Sequence, residues 1–193
     1  MKQSREAWHG PAIHGMKLRP EIMTVSGKYF NFLDCDPDTY DINDIAHALS
    51  MLCRYTGHTK LFYSVAQHSV MVSQLVPKEH ALAGLLHDAA EFVLGDVSSP
   101  LKQLLPDYKM WEKHVEKAIF KKFGLPESLP PTIKVADVKM LATEQRDLMG
   151  AGAEDWIITE NIKPLPEPIK PMSSAQAYAV FLTRYRDITG GSV

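Results

Sequence analysis

One apolar segment, Glu79 to Leu94, limits what this 193-residue chain can fold into more than any other feature. It is apolar on nearly all sides of a helix, and a helix of that kind is normally buried at the centre of its domain. His87, Asp88 and Glu91 lie within it. Burying an imidazole beside two carboxylates costs free energy unless something compensates the charge. The segment therefore predicts a central helix that carries part of a metal site.

Helical spacing of apolar residues recurs along the rest of the chain and predicts an all-α protein, a compact bundle of about six helices. Asp41 or Asn43 caps a first helix that ends near Gly57, and Ser64 caps a second helix that Pro77 stops. The other predicted helices span residues 79–94, 108–123, 132–148 and 175–187, and residues 27–33 are predicted to form a short strand or an extended segment.

The length suits one domain that buries a full core without disulfides or a structural metal. Residues 1–26 have weak periodicity and are predicted to form an N-terminal arm, so the domain spans 27–193. Residues 161–172 contain four prolines and indicate a linker before the last helix.

Composition narrows the functional class. The chain is 45% apolar and 23% charged, which is ordinary for a globular protein. A net charge of −2 argues against a broad grip on nucleic-acid polymers. Cys35 and Cys53 form no CxxC pair, and no stretch approaches the ~20 apolar residues of a membrane helix. We expect a cytoplasmic protein with reduced cysteines and no membrane partner.

The candidate metal ligands come from three predicted helices. His87 and Asp88 are about 100° apart on the central helix, so both can lean toward one point on its flank. His68 precedes them on the second helix, and Asp137 follows on a helix that is otherwise apolar at that point. Two imidazoles and two carboxylates suit one divalent transition metal, namely Mn, Fe, Co, Ni or Zn, better than Mg.

This pattern resembles the H…HD…D signature of the HD-domain phosphohydrolases. The segments YSVAQHS, LLHDAAEFVLGDVSSPLK and IKVAD are similar to those of bacterial and prophage 5′-deoxynucleotidases in that superfamily, over roughly residues 27–150. Phage HD-domain dATP triphosphohydrolases share the same stretch. The resemblance implies that Glu91 and Asp96 are the catalytic carboxylates, and the sequence leaves open which is acid and which is base. The alternatives are that Glu91 caps a helix or supports a metal ligand, and that Asp96 is a helix N-cap.

The resemblance also suggests substrate contacts. Arg54 and Lys102 match phosphate-binding cations, and Tyr55 is a candidate wall against the nucleoside, so that Tyr55→Ala should weaken nucleotide binding and leave metal occupancy unchanged. His58 either faces the ligand or is a structural loop residue. The alternative for each cation is an ordinary surface charge.

Charges after Asp137 have two interpretations. In the first, Glu144 and Arg146 orient metal ligands or pair across a subunit boundary. In the second, which the sequence favours, they are ordinary helix-surface charges.

Three functions follow as expectations. The first is a 5′-deoxynucleotidase that converts a deoxynucleoside monophosphate to deoxynucleoside and phosphate. The second is a dNTP triphosphohydrolase that releases tripolyphosphate, with a second cation accompanying the substrate. The third is a non-catalytic nucleotide-binding module. We also expect a small-molecule deoxynucleotide as the ligand and a homo-oligomer of at least two subunits.

Overall fold

A computed structural model describes residues 19–150, 156 and 159–191, and this part of the chain is all-α apart from one hairpin, as the sequence predicts. Strands β1 (Glu21–Met23) and β2 (Tyr29–Asn31) pair antiparallel, with Ile22 opposite Phe30. The helices are α1 (Ile42–Met51), α2 (Val65–Leu75), α3 (Ala81–Leu86), α4 (Glu91–Leu94), α5 (Ser99–Lys102), α6 (Pro106–Lys122), α7 (Pro131–Leu148) and α8 (Ser174–Thr189). The three long helices α6, α7 and α8 match their predicted bounds within two residues at each end.

The first helix is capped as predicted but ends earlier. Asp41 caps α1 and forms a reciprocal capping box with Asp44. The chain leaves the helix at Leu52 rather than near Gly57, because Leu52 and Arg54 form backbone hydrogen bonds with the segment before α2. A 3-10 turn over Arg54–Gly57 follows. The prediction of a helix to Gly57 was therefore wrong, and the difference brings Arg54 back toward α2.

The predicted central helix is interrupted. Helix α3 ends at Leu86, turns occupy residues 87–90, and α4 begins at Glu91. In this stretch backbone hydrogen bonds reach three residues back rather than four, as from Ala89 N–H to Leu86 O and from Glu91 N–H to Asp88 O, both at 3.1 Å. The tightened backbone carries the His87–Asp88 pair and replaces the single helix predicted over 79–94.

Close packing of α2 on α3 positions the site. A Cβ at Gly84 would lie only 3.0 Å from the Ser73 Cα, so α3 needs glycine there to approach α2. One buried core joins α1, α2, α3, α4, α6 and α8, and a second joins α2, α3 and α7. Helix α2 contributes to both cores, which places its side chains between α3 and α7.

The ends of the domain differ in part from expectation. Residues 1–18 of the predicted arm lie outside the described residues, but Glu21–Met23 forms a strand, so the arm boundary at 26 falls inside the hairpin. Residues 161–172 contain no helix or strand, and α8 follows them. None of the described helices has both the length and the apolar character needed to cross a membrane.

Candidate metal centre

The four predicted ligands come from three parts of the chain and lie close together, with His68, His87 and Asp137 as the compact group and Asp88 beside the two histidines. His68 projects from α2 and is fully buried, His87 and Asp88 lie in the turn after α3, and Asp137 projects from α7. The His68 Nε2 atom lies 3.4 Å from Asp137 Oδ1 and 3.7 Å from Asp88 Oδ2. The His87 Nε2 atom lies 3.2 Å from Asp88 Oδ2. The predicted convergence of helices on a shared site is thus present in the structure.

The geometry suits a metal ion. Ligand atoms of His68, His87 and Asp137 all lie within 4.8 Å of one another. Two ligands each about 2.1 Å from one ion lie roughly 3.0–3.4 Å apart, close to the separations seen here. Both histidine Nε2 atoms are buried and have no hydrogen-bond partner among the described residues. A buried orphan nitrogen is costly, and a cation between the rings would satisfy both.

Each imidazole is held by its other nitrogen. His87 Nδ1–H donates to the Gly84 carbonyl at 2.8 Å. His68 Nδ1 lies 2.6 Å from Glu144 Oε1. Holding Nδ1–H in this way leaves Nε2 as the lone-pair atom, which is the usual arrangement of histidines that bind metals. The neutral form of each ring is therefore held in the tautomer that a metal requires.

The charged groups of the site alter the pKa values of the candidate ligands. Burial and Arg54 lower the pKa of His68, but Glu144 and Asp137 outweigh them and raise it to about 9. Burial raises the pKa of Asp88, yet His87, His68 and Arg54 hold it far below its ordinary value. The pKa of Asp137 is likewise lowered, against the effect of burial, chiefly by His68. Both carboxylates are therefore ionised at neutral pH, as ligands must be, and a bound metal would displace the proton that His68 holds in its absence.

Glu144 is the residue that sequence reasoning misjudged. It is fully buried and contacts His68, so the interpretation as a surface charge was wrong and the alternative, orienting a ligand, is what the structure has. Its spacing contained the signal: Glu144 follows Asp137 by seven residues, which puts both on one face of α7. Arg146 instead pairs with Asp147 and donates to the Leu165 carbonyl, on the outside of the helix.

The turn before α2 supplies Arg54 and Tyr55. The Arg54 guanidinium lies between two carboxylates, with Nη1 at 3.4 Å from Asp88 Oδ2 and Nε at 3.3 Å from Glu144 Oε2. The Tyr55 hydroxyl donates to Glu144 Oε2. His58 is exposed and has no polar side-chain contact with the other site residues in the described part of the chain. The structure thus brings Arg54 and Tyr55 to the site and leaves His58 outside it.

A second group of charged residues lies near Asp88. Lys102 Nζ lies 3.6 Å from Glu91 Oε1 and 2.5 Å from Glu112 Oε1. Glu112 and Glu116 lie one turn apart on the inner face of α6, and sequence reasoning had not considered either. The Glu91 Oε2 atom is buried without a hydrogen-bond partner among the described residues.

Three carboxyl groups in this region have pKa values above their ordinary range. Burial, together with the negative charges of Asp88 and Asp96, raises the pKa of Glu91 well above its usual value. Burial also raises the pKa of Asp96, against the effect of Arg54. Burial and Glu112 raise the pKa of Glu116 to about 7. Carboxyl groups with raised pKa values beside a metal centre are suited to proton transfer.

Comparisons with known proteins place the chain among close relatives. No family model matches it. It is 45% identical over 170 residues to the uncharacterized protein YfdR of Escherichia coli, which covers 87% of this chain and 95% of the relative. It is 33% identical over 159 residues to the uncharacterized protein RCAP_rcc00048 of Rhodobacter capsulatus, covering 75% of this chain and 80% of the relative.

Proposed function

The chain belongs to the same family as Escherichia coli YfdR, and we propose that this member is a metal-dependent phosphohydrolase that acts on deoxynucleoside 5′-monophosphates. One observation carries the proposal: two buried histidine nitrogens, with no hydrogen bond among the described residues, face two ionised carboxylates beside a carboxyl pair with raised pKa values. A cluster that binds a metal only for stability has no need of neighbouring carboxyl groups with raised pKa values.

His68, His87 and Asp137 fit one divalent transition metal. Asp88, which lies beside both histidines, would be the fourth ligand. Such an ion would lower the pKa of a bound water and offset negative charge on a phosphoryl group. Arg54 supports the ligands by holding Asp88 in place through Nη1.

Glu91 and Asp96 divide the proton transfers. A water oxygen attacks phosphorus, the bond from phosphorus to O5′ breaks, and O5′ must gain a proton as it leaves. Glu91 has the more strongly raised pKa, so it is the proton donor to O5′. Asp96 is less buried, and as a carboxylate it orients the water and accepts its proton.

The charges around the site favour a monophosphate over a triphosphate. Arg54 already faces Asp88 and Glu144, and Lys102 already faces Glu91 and Glu112. Arg54 retains one amino group, Nη2, without a hydrogen bond in the described part of the chain, which suits one phosphate group. A tripolyphosphate chain would bring several more negative charges to a site whose cations are already neutralised.

The test is a substrate panel. The purified protein is incubated with Mn²⁺ or Co²⁺ and each deoxynucleoside mono- and triphosphate, and chromatography separates phosphate from tripolyphosphate. We expect phosphate from monophosphates. Tripolyphosphate as the main product would replace the proposal with the triphosphohydrolase, and nucleotide binding without any product would indicate a non-catalytic module.

A further inference from the structure

Glu144 connects a metal ligand to the turn that carries Tyr55. His68 and Glu144 are both fully buried, and Nδ1 of the His68 ring lies 2.6 Å from Glu144 Oε1. The other oxygen, Oε2, accepts a hydrogen bond from the Tyr55 hydroxyl and forms an ion pair with Arg54 at 3.3 Å. A fully buried carboxylate needs such partners because burial disfavours its charge. Oε1 thus has one partner, His68, and Oε2 has two, Tyr55 and Arg54.

We propose that Tyr55 is a positioning residue for the metal centre and acts through Glu144 on His68. The hydroxyl fixes the rotation of the carboxylate, because turning Oε2 away would also turn Oε1 away from the imidazole. With Oε1 fixed, the His68 Nδ1–H has one acceptor and Nε2 faces Asp88 and Asp137. Tyr55 is thus two hydrogen bonds from the metal ligand that it orients.

The backbone at this turn supports the inference. Tyr55 and Thr56 both have a φ of +55°, in the left-handed region that residues other than glycine seldom adopt. Left-handed residues of this kind persist where surrounding contacts hold them, and they cluster at functional sites. The Tyr55 ring also packs against Trp156, with centroids 5.7 Å apart. Ring and hydroxyl together hold the turn in the conformation that brings the phenol to Glu144.

The inference changes one expectation from the sequence. There, Tyr55 was expected to affect nucleotide binding and not metal binding. The inference rests on the metal site of the proposed function and does not depend on the substrate. Partners that orient a metal-binding histidine typically contribute 10- to 100-fold in metal affinity. Loss of the Tyr55 hydroxyl should therefore weaken metal binding even when no nucleotide is present.

The experiment uses the metal-free, full-length protein and Co²⁺. Tyr55→Phe removes the hydroxyl and keeps the ring against Trp156. Calorimetric titration should give roughly 10-fold or greater weakening of Co²⁺ binding, and the visible spectrum of bound Co²⁺ should change as His68 reorients. The control is Tyr178→Phe, whose hydroxyl contacts Asn43 on α1; it should bind Co²⁺ as the parent protein does. Unchanged affinity and spectrum in Tyr55→Phe would overturn the inference.

Glu144→Gln provides a second route if Tyr55→Phe folds poorly. It should weaken Co²⁺ binding to a similar extent, and the double variant Tyr55→Phe with Glu144→Gln should lose little more than either single variant. Fully additive losses would mean that Tyr55 does not act through Glu144. A parent protein that binds no Co²⁺ overturns the inference and the metal site together. Binding of Co²⁺ without cleavage of any nucleotide overturns only the proposed substrate.

Discussion

The two sides of the metal centre differ in how completely their charges are satisfied. On one side, which we call the holding side, His68, Glu144, Arg54 and Tyr55 form a closed set in which both Glu144 oxygens have partners. Burial raises the pKa of Glu144, but Arg54 and His68 outweigh burial and lower it to about 2. The charges of this side are fixed across the physiological pH range.

The other side, which we call the reaction side, comprises Glu91, Asp96, Lys102, Glu112 and Glu116. Here acids outnumber the single cation, one Glu91 oxygen has no partner among the described residues, and the pKa values of three carboxyl groups are raised. The difference separates the two tasks of such a centre. A metal needs ligands in a constant protonation state, whereas hydrolysis needs groups that exchange protons near neutral pH.

The largest effect should come from removing a ligand. His87→Ala is expected to abolish turnover and Co²⁺ binding, because the remaining ligands cannot hold the ion and Asp88 loses the charge partner nearest to it. A chelator should have the same effect, reversed by added metal. His47→Ala, an exposed position on α1, is the control. Full turnover in exhaustively chelated protein would refute the mechanism.

The next largest effect should come from a substitution at Glu91, which distinguishes the reaction side from the holding side. Glu91→Gln should lower kcat by roughly 10²- to 10⁴-fold, the usual contribution of a general acid, and leave Co²⁺ affinity nearly unchanged. As a proton donor Glu91 is active when protonated, so the parent rate should fall as pH rises through the raised pKa of Glu91, and the variant should lack that decline. A variant that keeps its kcat would remove Glu91 from catalysis.

The same substitution tests stability. A raised carboxyl pKa means that the folded state binds the proton more tightly than the unfolded chain does. The resulting stability is present below the ordinary glutamate pKa and is lost as pH rises through the folded value. Glu91→Gln should therefore make the metal-free protein more resistant to urea at neutral pH. A variant less stable than the parent at that pH would contradict the assigned direction of the pKa shift.

The sequence predicts the candidate metal ligands better than it predicts the residues that surround and orient them. The four candidate ligands could be predicted because polar residues inside apolar helical patterns are conspicuous, and the fold class follows from the same periodicity. The role of Glu144 was missed because its burial depends on how α7 packs on α2, which local pattern does not specify. Glu112 and Glu116 were missed for a related reason: a long amphipathic helix has many charges, and only packing decides which face the site.

A smaller effect concerns the sugar. If the preference for deoxyribose carries over, a ribose hydroxyl has neither space nor a partner against the wall at Tyr55, which costs roughly 1–3 kcal/mol. We expect dAMP to be cleaved about 5- to 150-fold more efficiently than AMP, measured as kcat/KM. Tyr55→Ala should raise KM for the nucleotide. Equal kcat/KM for both sugars would reject this assignment without affecting the metal ligands.

The smallest effect tests whether charge on the reaction side selects the number of phosphates. Glu112 holds Lys102 at 2.5 Å, and both side chains are about one-fifth exposed. Glu112→Gln removes one negative charge and frees Lys102 for a phosphate beyond the one at the metal. We expect the ratio of kcat/KM for dATP to that for dAMP to rise roughly 3- to 10-fold, about 0.7–1.4 kcal/mol, because the charges interact across a partly hydrated gap. Glu127→Gln is the matched control, since Glu127 pairs with Lys117 at 2.7 Å on the outer surface. An unchanged ratio in Glu112→Gln would mean that shape, and not charge, limits the site to one phosphate.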